Sequence, residues 1–78
     1  MLDCRVPIER VQALLCDISE TGCRIELFDA HVNDGATILF EIDGEASFAG
    51  QIVWVRGIEA GVRFTHKLSG KVRHFLEL

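Results

Sequence analysis

Asp17-Ile18-Ser19-Glu20-Thr21-Gly22 sets a carboxylate, a hydroxyl and a glycine between two apolar runs, Val11 to Ile18 and Cys23 to Phe28. In an extended chain residues two apart point the same way, so Asp17 and Ser19 can present their oxygens side by side. Gly22 permits a positive φ or a close backbone approach at little cost. An ionised carboxylate only accepts hydrogen bonds, which suits it to the adjacent ring and exocyclic N–H groups of a purine edge. The same residue types are ordinary turn formers, so the hexapeptide admits both a ligand-holding role and a purely structural one. Catalysis finds no support. Ser19 has no histidine base placed by sequence, so a Ser-His-Asp site is not assembled, and His66 and His74 lack a paired acid or nucleophile at useful spacing. Cys4, Cys16 and Cys23 are odd in number and match no C-x-x-C pattern. With His31, His66 and His74 they lack the ligand spacing of a zinc site, so no metal is expected.

The elements that must position the turn read as strands punctuated by turns. Cys23, Ile25 and Leu27 alternate with Arg24 and Glu26; Ala36, Ile38, Phe40 and Ile42 form one apolar face; Ala60, Val62 and Phe64 form another. Asn33-Asp34-Gly35 marks a turn, and Asp43-Gly44 is a hairpin signal because a tight type I′ turn needs positive φ at both centres. The hairpin leads into a long strand, Ala46 to Arg56, in which Gly50 suggests a bulge or bend. Gly57 closes that strand. Trp54, crowded by Ile52, Val53 and Val55, reads as core rather than as a stacking platform. After Ser69, which can cap a helix, the period changes and Val72, Phe75 and Leu76 share a face, with Leu68 adding to the seam.

Composition bounds the functions. With 78 residues, 49% hydrophobic and 26% charged, the chain has room for one ordered domain, residues 1–78, with a modest core. Net charge is −4, twelve acids against eight bases, which argues against a binder of polymeric nucleic acid, since that needs a broad basic face. A small anionic ligand is still allowed, because one or two local arginines decide its binding. No apolar run approaches the roughly 20 residues of a membrane span, and Met1 to Arg5 lacks the pattern of a signal peptide. A cytoplasmic setting without membrane insertion is expected.

The chain resembles the PilZ domain family on three stretches in order: Asp17-Ile18-Ser19 through Gly22-Cys23-Arg24-Ile25, then Gly50-Gln51-Ile52-Val53-Trp54-Val55-Arg56, then Ala60-Gly61-Val62-Arg63-Phe64. The resemblance implies an all-β fold with a C-terminal helix, a small antiparallel β-barrel of five to six strands. It also implies a bacterial signalling adaptor rather than an enzyme, without a cofactor, responding to cyclic di-GMP and acting through a partner protein. Carried over residue by residue, the ligand contacts are Asp17, Ser19 and Gly22 from the D-x-S-x-x-G turn and Arg5 from the family's R-x-x-x-R motif. Arg5-Val6-Pro7-Ile8 is similar to the second arginine and its followers, but Met1 stands where the first would be. Arg10 does not replace it, since an odd offset along a strand points to the opposite face. Weak nucleotide binding through the turn is one expectation. The alternative is a degenerate member that keeps the turn for structure and contacts only protein.

The stretch before Asp17 departs from the family pattern. Eleven residues separate Arg5 from Asp17, with no glycine or turn pair among them, and Pro7 is the sole breaker. Ile8 to Ile18 therefore reads as one strand, which would leave the sheet with an open edge. Unpaired N–H and C=O groups recruit other chains, so that edge is a candidate surface for a partner protein or for twofold self-association as a homodimer.

Overall fold

The computed structural model describes residues 2–6, 9–28, 32–42 and 46–77, which form six strands and one helix. The elements are β1 (Leu2–Val6), β2 (Glu9–Ile18), β3 (Gly22–Leu27), β4 (Thr37–Ile42), β5 (Ala46–Arg56), β6 (Glu59–Phe64) and α1 (Gly70–Phe75). Every neighbouring pair is antiparallel, and the strands close into a barrel in the order β1-β2-β3-β6-β5-β4.

Closure corrects the expectation of a single N-terminal strand and an open edge. Val6 pairs with Glu9, so the chain reverses between them, and β1 is hydrogen-bonded to β2 on one side and β4 on the other. The remote partner is what local pattern does not reveal: β1 pairs with β4 as well as with β2, so neither strand is left with a free edge. The edge-based argument for a dimer goes with it.

The apolar faces read from alternation do form the interior. Ile25, Ile38 and Phe40 are fully buried, with Leu27, Ile52, Ala60, Val62 and Phe64 around them. Phe40 lies opposite Phe48 and stacks on it at 4.7 Å between centroids, while Phe48 meets Phe64 edge-on at 5.4 Å. Asn33-Asp34-Gly35 is a turn, with Gly35 at φ 91° and the Ala36 N–H donating to the Asn33 carbonyl at 3.0 Å. The Asp43-Gly44 hairpin signal lies outside the described residues, although Ile42 pairs with Ala46 across it. Gly50 is not a bulge. It pairs regularly with Ile38 and Phe64, and a Cβ there would meet Val62 Cγ1 at 2.3 Å.

Helix α1 packs on the barrel core through Val72, with Leu68 just before it. The Ser69 side chain accepts from the Val72 N–H at 3.2 Å, the N-cap bond that the sequence suggests. The seam differs from the expected one: Leu68, Val72 and Leu76, spaced by four, turn inward, whereas Phe75 is 37% exposed and lies edge-on to His74. A helix this short presents one narrow stripe, and the stripe that meets the core excludes Phe75.

Cys23, on the inner side of β3, has its thiol pushed up to about 12, chiefly by burial and secondarily by the neighbouring Cys16. Because the folded value lies above the unfolded one, folding holds the proton that the unfolded chain releases from about pH 9 upward. Cys23 thus adds stability at neutral pH that is lost as pH rises from about 9 to about 12. Urea midpoints measured across that range are expected to fall, and Cys23→Ala should flatten the decline.

Candidate functional site

Two bulges create the site. In β2 the register slips between Leu15, opposite Ile25, and Asp17, opposite Arg24, leaving Cys16 as the extra residue. In β5 it slips between Ile52, opposite Val62, and Trp54, opposite Gly61, leaving Val53 extra. Each added residue reverses which face the following side chains occupy. Asp17 therefore turns outward while Ile18 packs against the core, and Trp54 also turns outward. The pair β3–β6, with Arg24 opposite Gly61, lies between the bulged strands. One outer row results: Asp17, Arg24, Gly61 and Trp54, spanning three strand spacings or roughly 14 Å.

Trp54 is thus a surface residue, contrary to the expectation of core. Its indole lies across Gly61, where a Cβ would come within 2.0 Å of Nε1. The Arg56 guanidinium stands 6.0 Å from the ring centroid, at the outer limit of a cation–π contact. At the other end of the row, Asp17 Oδ2 accepts from Arg24 Nε at 3.0 Å and Nη2 at 2.9 Å, and Arg24 Nη1 also pairs with Glu59. These bonds, with Asp17 first, raise the Arg24 guanidinium above its already high value.

The turn between β2 and β3 uses Ser19 internally. Its N–H donates to the Gly22 carbonyl at 2.9 Å, the Thr21 N–H donates to Ser19 Oγ at 3.3 Å, and Oγ lies 3.2 Å from Thr21 Oγ1. The Phe64 N–H then ties the turn to β6 through the Thr21 carbonyl at 2.9 Å. Gly22 serves close approach rather than an unusual φ: a Cβ there would sit 2.2 Å from the Val62 carbonyl oxygen.

Between this turn, β6 and α1 opens a cleft of about 700 Å³. Gly22, Gly61, Trp54, Arg63, Lys67 and Arg73 are among the residues that line it. Of the residues expected to contact a ligand, Gly22 lines the cleft, while Asp17 and Ser19 do not. Arg5 is not brought to them. It lies opposite Arg10, seven residues up β2 from Asp17, or roughly 20 Å along the strand. Sequence reasoning missed Trp54, hidden by a bulge that no residue type announces, and missed the three cations, which converge only on folding.

A family model, PilZ domain, matches residues 2–78. No curated protein and no solved structure matches the chain.

Proposed function

Because the chain belongs to the PilZ domain family, whose members are binding and adaptor modules linked to cyclic di-GMP, we propose that it is a cyclic di-GMP receptor of the bacterial cytoplasm that signals by contacting a partner protein. The observation that carries this reading is the cleft beside the D-x-S-x-x-G turn, lined by Gly22 and by the indole of Trp54. An exposed aromatic plane stacks on any base, and a carboxylate at the far end of the same row accepts from a guanine edge. Arg24 need not leave for this to happen, since it keeps Glu59 when Asp17 takes a new donor. Ser19 acts by holding the turn that sets Asp17 and Gly22. The backbone of Arg5 pairs with Arg10, remote from the turn, and Met1 stands where the family's first arginine would be, so weak binding is expected. No described helix is long and apolar enough to cross a membrane.

Calorimetry with cyclic di-GMP, paired with fluorescence, tests the reading. Trp54 is the sole tryptophan and is 39% exposed, so ligand entry should quench or shift its emission. Asp17→Ala should weaken binding about tenfold or more, the loss of a charge-assisted hydrogen-bond pair, with little change in melting temperature because Asp17 is exposed. Tight binding unaffected by Asp17→Ala would place the site elsewhere. A specific observation favours a second reading: Asp17 is engaged by Arg24 and Ser19 by its own turn. On that reading the domain contacts protein alone, and neither heat nor fluorescence change accompanies the nucleotide.

A further inference from the structure

The charge of the chain is unevenly distributed. Residues 60–76 hold Arg63, Lys67, Lys71 and Arg73 with His66 and His74, and not one Asp or Glu. All twelve acids lie outside that stretch, against four bases, Arg5, Arg10, Arg24 and Arg56. Three of the stretch's cations, carried by β6, by the connection after it and by α1, meet at one cleft. Among the described residues the side chains of Arg63 and Lys67 have no hydrogen bond or ion pair, and Arg73 pairs with Glu20 on the β2–β3 turn. Like charges gathered at a concave surface repel one another and raise the local potential for an anion. Packing does not require them there, since both Arg63 and Lys67 are exposed.

We propose that Arg63, Lys67 and Arg73, gathered on one cleft, form a phosphate subsite. The proposal rests on the receptor reading above and names the residues that meet the phosphodiester part of the ligand. Thr21 and Thr65, which line the same cleft, add hydroxyl donors. Glu20 is the built-in competitor: it holds Arg73 until a phosphate oxygen displaces it. Charge is thereby supplied from β6, the connection after it and α1.

The test is calorimetry of the intact protein with cyclic di-GMP at low and moderate salt, on wild type, the double variant R63Q/K67Q and E20Q. R63Q/K67Q should bind about tenfold more weakly and lose most of the salt dependence. E20Q should bind about two- to fivefold more tightly, because an exposed ion pair is broken in advance. Wild-type affinity in R63Q/K67Q, together with loss of binding in Asp17→Ala, would overturn the subsite and leave the receptor reading standing. An E20Q protein that binds no tighter removes Arg73 from the subsite. If wild type gives no heat with cyclic di-GMP, the receptor reading fails and inorganic pyrophosphate decides the subsite alone. Salt-sensitive amide shifts at Thr21, Arg63 and Lys67 that vanish in R63Q/K67Q support it, and their absence overturns it.

Discussion

Gly22→Ala is expected to destabilise the barrel by about 3 kcal/mol, the upper part of the usual cost of overpacking. The added methyl would lie 2.2 Å from the Val62 carbonyl oxygen, a backbone atom that cannot rotate away as a side chain does. β6 is fixed on its other side by β5, so relief requires parting β3 from β6 where Gly22 faces Arg63. The Phe64 N–H bond to Thr21 lies next to that junction and should weaken with it. Urea denaturation measures the loss, and Asp17→Ala, expected to stay near wild type in stability, is the comparison. A Gly22→Ala protein as stable as wild type would mean that the close approach is not needed. Loss of ligand binding in that variant therefore reports a disturbed fold as well as a lost contact, and Asp17→Ala is the cleaner probe of recognition.

Phe40→Ala should cost more, about 3–5 kcal/mol. Phe40 is fully buried and begins the chain of ring contacts that runs through Phe48 to Phe64. Truncation removes the stacking and leaves a void that a closed ring of hydrogen-bonded strands cannot collapse to fill. At 0.05–0.15 kcal/mol per residue, a chain of 78 residues has on the order of 4–12 kcal/mol in all. The variant should therefore be largely unfolded or melt far below wild type in a calorimetric scan. Phe40→Leu, which keeps most of the volume, should lose well under half as much. Equal losses in the two variants would show that shape at this position matters more than volume.

Most of the interior was legible because half-buried strands announce themselves by alternation, as Ile25 and Leu27, Ile38 and Phe40, or Val62 and Phe64 do. What alternation could not reveal is pairing. β1 pairs with β4, more than thirty residues away, and no local pattern reveals so remote a partner. Trp54 was misassigned for a related reason: a bulge is a property of two strands together, and Val53 looks like any strand residue. At the site, the turn was visible in Asp17, Ser19 and Gly22, but their separate fates were not. One side chain pairs with Arg24, one bonds within its own turn, and the third residue admits β6. Arg63, Lys67 and Arg73 are scattered over eleven positions, on β6, on the connection after it and on α1, and only the folded chain gathers them at one cleft.

The extra residues at Cys16 and Val53 carry a consequence for comparing this chain with others. Along a strand, what a side chain faces depends on whether an odd or even number of residues separates it from a fixed landmark. Asp17 is an even count from Ala13, which is fully buried, yet the two occupy opposite faces. An alignment drawn without a gap at Cys16 would match the Asp17 carboxylate to a core position in an unbulged chain. One drawn without a gap at Val53 would do the same to the indole of Trp54. Two sequences could then share every letter of the cleft and have no cleft in common, so the count of residues between landmarks is inherited information in its own right.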